Sequence, residues 1–408
     1  MKWVLLILAL MFNAASVAFG AEGDALSISR NIQERHLPFG TILDPIFDSP
    51  EGEEIVGYTR AGDSAIWTGH YLAAEAFRHR VTGEAEALEN VKKALTGIRL
   101  LVDATGYNLL ARCVLPGDSP YTPAILEEEK SHGIYPVDLG GKRYYWIGRT
   151  TRDQYSGVFF GLGVAYDLVE DSGVRADAAR LVTRMLNFLL DHQWFVVMPD
   201  GSISTAFSLN PDKRLSLLSV GRHVNPDRFN SDYKWERFFH SAAVGLPIAY
   251  DVLDDHNSYY KFNLDTISLY HLIRLEGNKS YRKQFTAAYD LLRRTTDDHG
   301  NAHFNMIDRA LKGANDRRDQ ETRDLLEQWL QRPRRDGGVD WRGDPRYPTC
   351  DEDKSCWPIS IADRVRTDFL WQRSPFLLYG GGWGTIETAG IDYILPYWMG
   401  RYYGVIRN

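Results

Sequence analysis

Five short stretches gather side chains able to exchange protons or to hold a hydroxylated ligand. In 60–70, Asp63 enters a small, apolar run together with Trp67 and His70. In 149–157, Asp153 stands between Arg152 and Gln154, just ahead of Tyr155. Asp232, Glu236 and His240 recur at four-residue spacing beside Trp235, so all three share a face if the segment is helical. His299 and His303 have the spacing of a helical metal pair, with Asn305 following. Gly300 weakens a helix between them and no third ligand is in place, so neither a metal nor any other cofactor is expected. The last group is Asp368, Trp371, Gln372 and Arg373, ahead of the run Gly380-Gly381-Gly382, which is no phosphate loop because no Lys-Ser/Thr follows it.

Carboxylates carried on separate elements can divide acid and base work between them. Each group also has a plain structural explanation. Asp is a good N-cap, so Asp63 and Asp153 could simply start helices. The 232–240 face could be a salt-linked solvent surface. The aromatics after 366 could close the core against a C-terminal helix over 393–403.

The elements that must carry these residues are helices of two kinds. Residues 84–102 put Leu88, Val91, Leu95, Ile98 and Val102 on one stripe with Glu86, Glu89, Lys92 and Lys93 facing away, and 174–192 repeat the pattern. Tyr281, Phe285, Ala288 and Leu292 give it a third time, after Ser280 as the expected N-cap. Residues 155–169 are instead apolar or small nearly all round, which predicts burial on every side; 66–77 and 238–253 read alike, with a kink at Pro247. An inner helix followed by an outer one is therefore the unit, over 64–102, 153–192, 262–296 and 302–331, while the 236–253 helix lacks an outer partner. The echo Ala165-Tyr166-Asp167, Ala249-Tyr250-Asp251 and Ala288-Tyr289-Asp290 supports repetition. Long irregular loops are expected at 103–151 and 195–234, with short strands near Tyr144–Ile147 and Val196–Ser204 around a turn at Pro199-Asp200-Gly201.

In these alternating helices the chain resembles the six-hairpin glycosidase-like superfamily, and the expected fold class is all-α, an (α/α)6 toroid with long loops and minor β hairpins. The resemblance implies a carbohydrate-active enzyme whose cleft lies where the inner helices begin. An inverting glycoside hydrolase acting on a poly- or oligosaccharide is the first expectation, with Glu236 as acid and Asp153 or Asp63 as base. Trp67, Tyr155, Trp235 and Trp371 would stack on sugar rings, and His70, Arg152, His240, His303, Asp368 and Arg373 would bind polar groups. A polysaccharide lyase using Tyr155 or His303 as base and Asn305 against a uronate, or a glycan-binding toroid without activity, are the alternatives.

The apolar run 4–19, with one early positive charge and small residues Ala18 and Gly20, reads as an export signal cleaved before Ala21; it is short for a span, which needs roughly 20 apolar residues. A secreted or periplasmic protein is thus expected, with one domain over 21–408, monomeric and free of the membrane after cleavage. A net charge of −7 without a basic stripe argues against a nucleic-acid partner. In an exported chain Cys350 and Cys356 are expected to pair and Cys113 to stay a buried thiol.

Overall fold

The computed structural model describes residues 21–253, 258–335 and 337–407, so the expected leader lies outside the described residues. In chain order the helices are α1 (21–31), α2 (Ser64–Thr82), α3 (Ala85–Asp103), α4 (Thr122–Glu128), α5 (Arg152–Leu168), α6 (Ser172–Asp191) and α7 (Pro211–Val224). They continue with α8 (Pro226–His240), α9 (Gly245–Val252), α10 (Tyr260–Leu275), α11 (Lys279–Thr296), α12 (Ala302–Lys312), α13 (Asp316–Leu330) and α14 (Ile391–Tyr402). No described helix is long and apolar enough to cross a membrane.

Six of these helices form a closed inner ring: α2 packs on α5, α5 on α7, α7 on α10, α10 on α12, α12 on α14, and α14 returns to α2. Behind them stand α3, α6, α8, α11 and α13, each following its inner helix in sequence. The sixth outer helix is α1, where Tyr393 donates from its hydroxyl to the Ala21 carbonyl and Arg401 pairs with Glu22 at 2.6 Å. The chain is therefore an (α/α)6 toroid, in which α1 packs against the last inner helix, α14. The two kinds of periodicity have their reason here: α3 buries only the stripe with Val91, Leu95, Ile98 and Val102, whereas α2 is buried over nearly its whole length.

The tightest contact in the ring is between α2 and α5. A Cβ on Gly69 would strike the Gly157 carbonyl, and a Cβ on Gly161 would strike the Gly69 carbonyl, so the two backbones approach as closely as glycine permits. That approach brings the start of α2 beside the start of α5.

Short strands decorate the loops. Cys113–Pro116, Ile134–Leu139 and Lys142–Ile147 form a three-stranded antiparallel sheet inside the expected 103–151 loop, and Phe195–Val197 pairs with Ile203–Ala206 around the expected turn. Cys350 and Cys356 are joined, and Cys113 is a buried free thiol.

Three expectations need correction. The 238–253 segment is not a buried inner helix: it is broken into the end of α8, a 3-10 turn and α9, and it leaves Phe238, Phe239, Leu246 and Tyr250 exposed. The inner helix of that hairpin is α7, within the stretch expected to be loop. Its buried surface includes Asp212, Lys213, Arg214, Ser216 and Ser219, so no apolar stripe marked it. The start signals Asn210-Pro211 and Asn225-Pro226 did, since proline suits the first turn of a helix. Likewise α11 is capped by Asn278, which accepts from the Ser280 and Tyr281 amides, rather than by Ser280.

Candidate active site

Two cavities of about 530 and 650 Å³ open at the end of the ring where the inner helices begin, sharing Asp153, Tyr260 and Leu264 in their walls. They make one cleft. The starts of α2, α5, α7 and α10 supply Asp63, Arg152, Asp153, Lys213, Arg214, Tyr260, Asn263 and Asp265. The starts of α12 and α14 are roofed by the segment 359–378: Arg364 donates to the carbonyls of His299 and Gly300 at 2.9 and 3.2 Å, and the Leu370 amide donates to Asp392 at 3.0 Å.

Asp63 and Asp153 are half-buried and line the smaller cavity together. Neither is a cap. Asp63 makes no capping hydrogen bond, and α5 is capped by Thr151 in a reciprocal box with Gln154. Both carboxylates are held above the usual range, first because crowding by protein atoms disfavours the charged form, against the pull of the Arg112 guanidinium. They differ in what else surrounds them. Asp63 also feels the carboxylates of Asp153 and Glu129, which favour its protonated form, and Arg60, which opposes them. Asp153 has Arg152 and Lys213 as well as Arg112, all favouring the carboxylate.

Arg112, at the entry to the first strand of the three-stranded sheet, is fixed by backbone. It donates to the Gly62 carbonyl at 2.7 Å and to the Arg149 carbonyl at 3.0 Å. Glu129, just after α4, accepts from the Gly62 amide at 2.7 Å and pairs with His132 at 2.6 Å. The sheet and α4 therefore brace the turn that carries Asp63.

In the larger cavity Lys213 lies between Asp212, at 2.8 Å, and Asp265. Burial pushes Asp265 up to about 7, opposed by Lys213 and reinforced by Asp212 and Asp251. On the opposite side Asp368 pairs with Arg60 at 3.2 Å and Arg373 at 3.1 Å.

Of the residues expected at the site, Asp63, Trp67, Arg152, Asp153, His240, Asp368 and Arg373 line the cleft. The others do not. Glu236 is buried behind the wall, paired with Arg214 at 2.8 Å and His240 at 3.1 Å, and its expected desolvating neighbours Trp235, Phe238 and Phe239 point outward instead. Tyr155 is wholly buried, its hydroxyl accepting from the Leu110 amide at 3.3 Å, so it offers no ring to a sugar. Trp371, His70 and His303 lie in the ring interior beneath Trp67, with ring centroids 5.1 to 5.2 Å between Trp371 and each histidine. Asn305 is tied to Arg293 and, at 3.1 Å, to Glu321. The residues assembled for a lyase are thus spent on packing: His303 faces the ring interior, Asn305 faces the outer helices α11 and α13, and Tyr155 is held in α5 against Leu110.

Arg112, Lys213, Asp265, Asn263 and Tyr260 escaped the sequence reading. Asp212-Lys213 after Pro211 was a usable signal, since an acidic residue in a first turn suits the helix dipole; nothing local marks Arg112.

No family model matches the chain, and no curated protein matches it. Among solved structures it is similar to the crystal structure of the cellulase CEL9M of C. cellulolyticum, at 10% identity over 85% of this chain and 87% of that one, with a TM-score of 0.43.

Proposed function

We propose that the chain is an exported glycoside hydrolase that cleaves a poly- or oligosaccharide with inversion, using Asp63 as acid and Asp153 as base. The observation that carries this reading is the pair of carboxylates, from the starts of two different inner helices, that share one cleft and one guanidinium. Asp63, crowded by other carboxylates, keeps its proton for the leaving glycosidic oxygen. Asp153, ringed by cations, stays ionised and takes a proton from water. As the glycosidic C–O bond breaks, the water oxygen bonds to the anomeric carbon from the opposite face, which requires a carboxylate separation of ~6.5–9.5 Å. Trp67 gives a ring at the floor, and Asn263, Gln372 and Arg373 give hydroxyl partners. Glu236 holds Arg214 and His240 in place.

Digestion of a polysaccharide panel with wild type, Asp63→Asn and Asp153→Asn tests this, with the anomeric configuration of the first product read by NMR. Each variant should lose about 10²–10⁴-fold in rate. Undiminished activity in either, a retained anomeric configuration, or an unsaturated product would sink the proposal.

A further inference from the structure

The two halves of the cleft differ in chemistry. The half holding Asp63 is walled by Asn263, Asp368, Gln372, Arg373 and Ser374, all able to hydrogen-bond hydroxyls. The other half, beyond Asp153, also holds charged groups such as Lys213, Asp251 and Asp265, but its α9 side carries Leu209, Leu246, Pro247 and Tyr250. Leu209, Leu246 and Tyr250 are 87, 69 and 72% exposed, so they line the cavity without being buried by the fold. The end of α8 exposes Trp235, Phe238 and Phe239 as well, and meets the cavity through His240, whose ring lies 6.2 Å from Trp235 and 6.5 Å from Phe239. Monomeric soluble proteins rarely leave so many large apolar groups contiguous unless something covers them.

A sugar alone does not account for that cover. Stacking on a pyranose needs an open aromatic face with polar groups at its edge. Tyr250 has such a ring, but Leu209, Leu246 and Pro247 in the same wall are aliphatic and offer a sugar no hydrogen bond. The larger cavity runs from Leu209, Leu246 and Tyr250 to Asp153, so one ligand can reach from these side chains to the carboxylates.

We propose that the α9 side of the cleft is a subsite for the alkyl chain of a lipid-linked glycan, whose sugar portion lies at Asp63 and Asp153. The assignment of the sugar end rests on the hydrolase reading above; the alkyl subsite does not. The occupant is a single chain covalently attached to the substrate. The glycan bond to be cut would then lie close to the lipid attachment, one apolar wall away from it.

Calorimetric titration with dodecyl maltoside below its micelle concentration, and with maltose, tests the subsite on the full chain. Dodecyl maltoside should bind at least about tenfold more tightly than maltose, because alkyl burial adds affinity that the sugar alone lacks. A Leu209→Asn/Leu246→Asn double variant should lose that preference while its thermal melt stays in place, since both side chains are exposed; Tyr250→Asn is a second, independent variant. Equal affinity for the two ligands overturns the proposal. So does binding to phosphatidylcholine–phosphatidylglycerol vesicles without binding of the monomeric glycoside, which would make the patch a bilayer contact, or a dimer in sedimentation that the double variant dissociates. Alkyl binding by a wild type that cleaves neither the polysaccharide panel nor a lipid-linked oligosaccharide would leave the subsite standing and remove the hydrolase reading.

Discussion

The guanidinium of Arg112 donates to the carbonyl of Gly62 at 2.7 Å, and through this bond the sheet before α5 reaches the turn that presents Asp63. Its second bond, to Arg149, reaches the approach to Asp153. One side chain thus ties together two helix starts distant in sequence and lowers the proton affinity of both carboxylates.

Arg112→Met should therefore raise the pKa of both aspartates. A raised pKa at Asp153 means the base is ionised only at higher pH, so the acid limb of the pH–rate profile should move upward; a raised pKa at Asp63 extends the alkaline limb the same way. A profile measured in wild type and variant that fails to shift alkaline would show that Arg112 does not act on the pair. Arg112→Lys keeps the charge without the fork and should shift it less.

Asp63 and Asp153 should contribute little to stability at neutral pH. A carboxylate whose folded pKa is raised favours the fold below its unfolded value, and that contribution is lost as pH rises through the folded value. Asparagine at either site should leave the melting temperature at pH 7 unchanged or higher, even though activity is lost. A melt several degrees lower would return these residues to a structural role.

Gly161→Ala should damage the site from a distance. The added methyl meets the Gly69 carbonyl and forces α2 and α5 apart. Overpacking of this kind costs about 1–3 kcal/mol, readable in a urea titration, and the spreading of the two helix starts should lower activity beyond the loss of folded protein. Gly83→Ala is a contrasting variant: nothing lies within 4 Å, and its cost comes from a positive φ of 68° alone.

Lys213→Met would leave Asp212 and Asp265 buried without their cation. Removing one partner of a buried pair costs about 3–5 kcal/mol. Because burial already pushes Asp265 up to about 7, the loss should be largest in alkaline buffer and shrink on acidification, as Asp265 takes up its proton. Melting curves across pH that show a constant difference would contradict this.

In the cysteines, iodoacetamide should label nothing in the native, unreduced protein: Cys350 and Cys356 are bonded, and burial pushes the Cys113 thiol up to about 11. Denaturation without reduction should expose one thiol, and mass mapping should place it at Cys113.

Much of the toroid was legible because periodicity is a local property. Amphipathic stripes marked α3, α6 and α11, and all-round apolar character marked α2 and α5, since a helix buried on every side has no solvent face to show. The same rule misread two segments for one reason. The polar α7 is buried because Lys213 meets Asp212 and Asp265, and Arg214 meets Glu236, partners supplied largely by other helices. The apolar end of α8 and α9 is exposed because the ring position beside it is already filled by α7 and α10. Which side of the chain a residue faces is set by the neighbours that the ring brings to it.

The candidate site divides the same way. Asp63 and Asp153 could be picked out because each stands at a helix start, and the helix start is written in the sequence. That they share a cleft, that Arg112 lies between their supports, and that Glu236 is locked behind the wall depend on how tightly α2 and α5 approach and on where the 359–378 segment lies. Those are long-range contacts between residues far apart in the chain, so only the closed ring decides them.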